Sequence, residues 1–384
     1  MSDLLQLKSD HVKPLLRKLA RQYRLVAPLR TPQGDTLFAE VDDLENATID
    51  LNNRPQNSLK SFLFPQQEVL SHYQVGAMGE TGTTGDDAGT AGHGGHGAGE
   101  HTTPQDAPPT GRPQTGSYRF TPVCEEPPPT LYFGVRPCDI NAVLYLDVVL
   151  LPGRRDPAYF RRRQNSLLIG LNCNQPFADC FCHAMKAGPF LEAGFDLQLT
   201  DLGDRFLVET GRAGGEEITR QWGIFFSPAS KEEINRRFQL FLEARDGFTR
   251  QVHADQAIKR LAAGEVPEAV WQEMAHRCHD CGGCAYLCPT CTCFSIIDRP
   301  LNPTSGQRLR VWDACTFTGF SAMAGGHNPV EPSRLLKQRF MHKLAHDVKK
   351  HGRPSCVGCG RCLNACFGGA DMLRFLDLAG AESR

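Results

Sequence analysis

Cys278-His-Asp-Cys281-Gly-Gly-Cys284-Ala-Tyr-Leu-Cys288-Pro289 and, starting 68 positions beyond Cys288, Cys356-Val-Gly-Cys359-Gly-Arg-Cys362-Leu-Asn-Ala-Cys366 decide how this chain is read. Both stretches have the C-x2-C-x2-C-x3-C spacing that holds cubane [4Fe–4S] clusters. Three thiolates two residues apart wrap one face of a cluster, and Gly282, Gly283, Gly358 and Gly360 let the backbone turn tightly around it. The fourth cysteine of such a run points away and ligates the partner cluster. The expected sets are Cys278, Cys281, Cys284 and Cys366 for one [4Fe–4S] cluster, and Cys288, Cys356, Cys359 and Cys362 for the other. The alternative is a pair of structural zinc sites, which more often use separated C-x2-C pairs or histidine ligands.

The surrounding composition narrows the class. The chain has 384 residues, enough for two or three domains, and 16 cysteines. Its formal net charge of -1 gives no electrostatic case for nucleic acid or an anionic membrane. The short basic run Arg161-Arg162-Arg163 reads as solvated helix surface. No stretch approaches the ~18 apolar residues of a membrane span; the most apolar run, Ala142 to Leu151, is short and contains Asp147. Met1 to Asp10 has no apolar core segment and no twin-arginine signal. Many cysteines without an export signal point to thiolates on metal in a reducing cytoplasm, rather than to disulfides.

Outward from the runs, the chain reads as α+β and multidomain. Residues 1–76 start an α/β domain, with a helix expected over Leu4 to Tyr23. Residues 77–116 are Gly- and His-rich with almost no large apolar side chain, and are expected to be a disordered insertion. His93, His96 and His101 within it offer a metal-capture alternative. Residues 117–265 continue the α/β domain, with strands at Leu131–Val135 and Ser166–Leu171, a helix at Asp139–Leu150, and a hairpin from Phe195–Thr200 to Arg205–Thr210. Residues 230–262 have a helical period, with Phe238, Leu240, Phe241 and Phe248 as an apolar stripe. Residues 266–384 form a mostly helical ferredoxin domain with two [4Fe–4S] clusters. The long gap between the runs, with a helix over Pro332–His351, resembles the α-helical ferredoxin domain of fumarate reductase iron–sulfur subunits.

Eight cysteines lie outside the runs. Cys138 follows one expected strand; Cys173, Cys180 and Cys182 follow another. Strand carboxyl ends form the ligand crevice of a parallel α/β sheet, so these four can converge on a third iron–sulfur cluster or a redox-active thiol site. Buried free cysteines are the bland alternative. Cys291, Cys293 and Cys315 read as packing residues near a cluster or as alternate ligands, and Cys124 as an exposed loop thiol. No G-x-G-x-x-G after a strand, P-loop lysine or G-x-S-x-G is present. The chain therefore displays electron carriers and no catalytic station of its own.

GVRPCDINAV (134–143), IGLNCNQPFADCFC (169–182), FDLQLTDLGDRFLVETG (195–211), CGGCAYLCPTCTCF (281–294), VWDACTF (311–317), GGHN (325–328) and CVGCGRC (356–362), with Phe62-Leu-Phe-Pro65, together resemble the iron–sulfur beta subunit of cytoplasmic NAD(P)-linked [NiFe] hydrogenases, the sulfhydrogenases. The iron–sulfur dicluster protein of anaerobic sulfite reductase belongs to the same family. The resemblance implies a relay of single electrons between an FAD- and NAD(P)-binding flavoprotein and a catalytic partner, the hydrogenase small and large subunits. Two rivals stand beside it: the same relay feeding a sulfite reductase, and direct reduction of sulfur or polysulfide by the thiols of Cys138, Cys173, Cys180 and Cys182. Phe367 stands where the family pattern has proline after the last cysteine.

Overall fold

The structure is a computed structural model that describes residues 4–76, 117–124, 126–323, 325–326 and 331–381. The insertion expected at 77–116, with its three histidines, lies outside the described residues, as does part of 325–328. The chain falls into two compact units: residues 1–67, 124–295 and 311–384, and residues 68–123 and 296–310.

The first unit is built on an eight-stranded sheet. Its strands are β1 (Leu5–Lys8), β2 (Arg24–Arg30), β3 (Thr36–Glu40), β6 (Thr130–Val135), β7 (Ser166–Leu171), β8 (Leu197–Asp201), β9 (Arg205–Thr210) and β10 (Phe226–Pro228), in the order β10-β1-β9-β8-β7-β6-β2-β3. The central strands β2, β6, β7 and β8 run parallel; the flanking pairs are antiparallel. Side chains alternate between two cores, as a strand's period of two requires. Leu131, Phe133, Ile169 and Leu171 pack with Leu15, Leu16 and Leu19 of the helix Ser9–Leu19. Tyr132, Val135 and Leu168 pack on the opposite face with Ile140, Val143 and Leu146 of the helix Pro137–Leu150. Both faces are thus covered, which suits the near-continuous apolar reading of β6 and β7.

A helical layer in the same unit carries its own core. Trp271 and Met274 of Glu268–Arg277, Leu336 and Phe340 of Pro332–Met341, and Phe375 and Leu376 of Met372–Gly380 are buried together. The rings of Phe340 and Phe375 stack at 4.1 Å. The helix from Pro332 continues through a π-helical turn, His342–His346, into Asp347–His351. The second unit holds a four-stranded sheet in the order β11 (Phe294–Asn302), β12 (Ser305–Trp312), β4 (Gln67–Val75), β5 (Tyr118–Pro122).

Several expectations change. Leu4 precedes β1 and opens no helix; the helix begins at Ser9, after Leu5 to Lys8 have paired with β9 and β10. The helical stretch 230–262 breaks into Lys231–Asp246, which a capping box at Ser230 and Glu233 starts, and Ala254–Ala263. Phe238 is exposed and leaves the expected stripe. Arg163 is not surface: it is buried, bonding Asp147 at 3.1 Å and Ser166 at 3.1 Å. The gap between the cysteine runs also contains β11 and β12, whose turn at Asn302-Pro-Thr is a hairpin signal that a purely helical reading of the gap overlooks.

Candidate metal centres

The first run leaves the helix Glu268–Arg277 at Cys278 and turns at Asp280 and Gly282, both with positive φ. A Cβ on Gly282 would lie 2.5 Å from the Phe317 ring, so only glycine fits there. Gly283 is different: it begins a short helix and has only the Cys281 sulfur nearby. Cys278, Cys281, Cys284 and Cys366 line one cavity of about 380 Å³ with Thr316, Leu336 and Phe367. Burial pushes the Cys278 thiol up to about 12. The Thr316 hydroxyl is buried without a hydrogen-bond partner, a donor free for a sulfide at this cavity.

Cys288, Cys356, Cys359 and Cys362 line a second cavity of about 320 Å³, together with Arg339, Lys343 and Met372. Burial raises Cys356 to about 12 and also raises Cys359 and Cys362. Cys288 moves the other way: a hydrogen bond from Cys291 holds it well below the usual thiol range against the effect of burial, and Lys343 and Arg339 add to this.

The strand-end cysteines converge as expected. β6 and β7 are parallel neighbours, so the segments that follow them emerge on the same edge of the sheet. Cys138, Cys173, Cys180 and Cys182 line a third cavity of about 290 Å³. Beneath it, Asn172 bonds Thr200 at 2.9 Å and accepts from Gln198, which holds the end of β7 in place. Burial raises Cys138 and Cys173. The hydrogen bond between Cys180 and Cys182 lowers the first and raises the second. Cys359 lines both this cavity and the second one, so the two are adjacent.

Among the described residues, no three His, Cys, Asp or Glu side chains converge tightly enough for a single metal ion. Zinc needs its sulfurs about 2.3 Å from one point. Thiols spread around a cavity instead suit a multi-iron group that takes one thiolate at each iron. Most of these thiols are held protonated by burial, so loading metal displaces protons from them.

The second and third cavities are locked together by contacts that the sequence reading missed. Arg361, from the second run, makes a bidentate pair with Asp139 at 2.7 and 2.8 Å, and both side chains are fully buried. Arg54 pairs with Asp179 at 3.0 and 2.5 Å and also donates to the Cys359 carbonyl. The Phe181 N–H donates to the Gly358 carbonyl at 2.8 Å. Gly358 and Gly360 have positive φ, and a Cβ on either would fall within 2.6 Å of the Asp179–Cys182 backbone.

Residues 277–370 match the 4Fe-4S dicluster domain family. The chain is also 33% identical, over 245 residues, to sulfhydrogenase 2 subunit beta of Pyrococcus furiosus; the match covers 64% of this chain and 72% of that protein. The chain belongs to the sulfhydrogenase beta-subunit family. Like that family it is an iron–sulfur, electron-transfer protein of hydrogenase type. No described helix is long and apolar enough to cross a membrane.

The remaining family cysteines divide by position. Cys124 is exposed. Cys291 and Cys315 are buried; Arg339 approaches the Cys291 sulfur at 3.6 Å. The Cys315 thiol donates to Cys293 and lowers it to about 6. These three sit beside Lys60, Arg339 and Lys343, residues that the sequence reading did not single out.

Proposed function

We propose that this chain relays single electrons between an NAD(P)H-oxidising flavoprotein and a hydrogenase-type catalytic partner. The observation that carries this reading is the set of three cavities each lined by four of the expected thiols, two of them sharing Cys359. In this reading Cys278, Cys281, Cys284 and Cys366 hold the first [4Fe–4S] cluster. Cys288, Cys356, Cys359 and Cys362 hold the second, and Cys138, Cys173, Cys180 and Cys182 a third. Bound there, such clusters supply reversible one-electron chemistry at potentials set by charge, hydrogen bonding and burial. The chain's own residues hold the thiols in place and keep water away. The helical layer around Trp271, Phe340 and Phe375 is the dry shell expected of an α-helical ferredoxin arrangement. Cys281 is exposed and marks where an electron-exchanging partner reaches this set.

The relay is tested on protein purified anaerobically with its subunits. About twelve irons per chain support three clusters, and about eight support two. Cys180→Ala should remove four irons and leave the flavoprotein able to reduce artificial dyes with NAD(P)H. If Cys180→Ala keeps all its iron but loses sulfur reduction, the thiol-reductase reading replaces the third cluster. Copurification with a sirohaem protein in place of a nickel protein would assign the relay to sulfite reduction. Reduction of the isolated chain by NAD(P)H, with stoichiometric flavin, would overturn the relay altogether.

A further inference from the structure

Lys60, Arg339 and Lys343 are all buried, at 2, 2 and 3% exposure. Among the described residues none of them has a carboxylate within ion-pair distance. Lys60 donates to the Ala285 carbonyl at 3.2 Å and lies 3.7 Å from the centre of the Trp312 ring. Arg339 donates only to the Cys291 sulfur, and its Nε is buried without a partner. Lys343 donates to the Thr290 hydroxyl at 2.9 Å. Asp347, one turn beyond Lys343, pairs with His342 at 3.3 Å instead. Arg361 and Arg54 of the same unit are neutralised, by Asp139 and Asp179. Burying a cation without a counter-charge is strongly unfavourable, so the three unpaired ones call for an anion.

The groups that face them are thiols. Arg339 feels Cys284, Cys291, Cys288 and Cys362. Lys343 feels Cys288, Cys291 and Cys356. Lys60 feels Cys291, Cys288 and Cys293, and burial still pulls it down to about 8. Cys284 belongs to the first expected ligand set; Cys288, Cys356 and Cys362 belong to the second.

We propose that Lys60, Arg339 and Lys343 form a fixed positive patch that raises the reduction potential of the clusters held by these cysteines, the second most of all. The proposal rests on the ligand sets given above. A thiolate-bound cluster becomes more negative on reduction, and a fixed cation in a low-dielectric interior stabilises the added electron. The placement makes the effect selective. Arg339 faces thiols of both sets and biases both centres. Of the two ligand sets, Lys343 and Lys60 face thiols of the second and bias that centre. These are positioning residues: they set an energy and touch no substrate.

The test uses the intact complex, with iron per chain measured beside a redox titration followed by electron paramagnetic resonance. Lys343→Gln should lower the reduced-to-oxidised ratio of the second centre at least tenfold at a fixed poise, about 59 mV for one electron. It should leave the first centre within twofold of wild type. Arg339→Gln should shift both. Lys343→Arg and Arg339→Lys, which keep the charge, should restore wild-type ratios. Glutamine variants that keep their iron and titrate within twofold of wild type at both centres would overturn the proposal. If Lys343→Gln does not retain iron, Lys60→Gln carries the same test on the second centre. Wild-type protein with fewer than about eight irons would instead overturn the ligand sets, a failure that the iron measurement reports separately.

Discussion

The two cysteine runs share one spacing but meet different surroundings. In the first run Cys281 is exposed and Gly283 has only the Cys281 sulfur within 4 Å, and Phe367, which lines that run's cavity, is 77% exposed. In the second run none of the four cysteines is exposed. Arg361 is locked to Asp139, Arg54 reaches the Cys359 carbonyl, and two glycines press against the Asp179–Cys182 backbone. Spacing therefore fixes which atoms can reach a cluster. The packing behind the loop decides whether the centre meets partners or only other centres.

The largest break in this contrast comes from Asp139→Ala. It strands a fully buried guanidinium, and removal of one partner of such a pair costs about 3–5 kcal/mol. Urea unfolding of the anaerobic protein should show that loss, with iron lost from the second and third sites before the first. Equal loss from all three sites would erase the distinction between the runs. Gly358→Ala comes next. The left-handed backbone alone costs about 1–2 kcal/mol for a residue with a Cβ, and contact with Phe181 adds to it. In the exposed run, Gly283→Ala, at a glycine with only the Cys281 sulfur within 4 Å, should stay within about 0.5 kcal/mol. If both alanines cost the same, the contrast in packing is wrong.

Asp50 sharpens the comparison with a smaller effect. Its carboxylate accepts from Thr36 at 2.5 Å and from Asn52 and Asn53, ordering the turn that presents Arg54 to the second run. Burial works against the charge, but these donors outweigh it and hold the carboxyl at about 2. A carboxylate with a lowered folded pKa stabilises the fold above its unfolded value, near 3.8, and that contribution fades as pH falls toward 2. Asp50→Asn should therefore cost about 1–2 kcal/mol, discounted for water at the turn. The gap from wild type should be flat between about pH 7 and 5. A gap that already closes within that range would show that another group is responsible.

The runs were legible because their information is local: eight cysteines lie within two short stretches of sequence. The strand-end thiols were legible at one remove, since β6 and β7 had to be recognised as strands before Cys138 and Cys173 could share an edge. The charges were not legible. Arg361 lies 222 positions from Asp139 and Arg54 lies 125 from Asp179. Lys343 sits on a π-helical turn that no hydrophobic period announces, inside a stretch read only as a helix. Leu4 to Lys8 reads as helix because its neighbours are strong helix formers, but pairing with β9 and β10 overrides local preference.

The bond between Phe181 and Gly358 also has a consequence for synthesis. A ribosome adds roughly 5–20 residues each second. The thiols of Cys138, Cys173, Cys180 and Cys182 therefore emerge roughly 9–44 seconds before the loop that closes over them. During that interval the nascent sheet presents a set of open, unmetallated sulfurs. Whatever reacts with these sulfurs in that interval meets them without the second run packed against them.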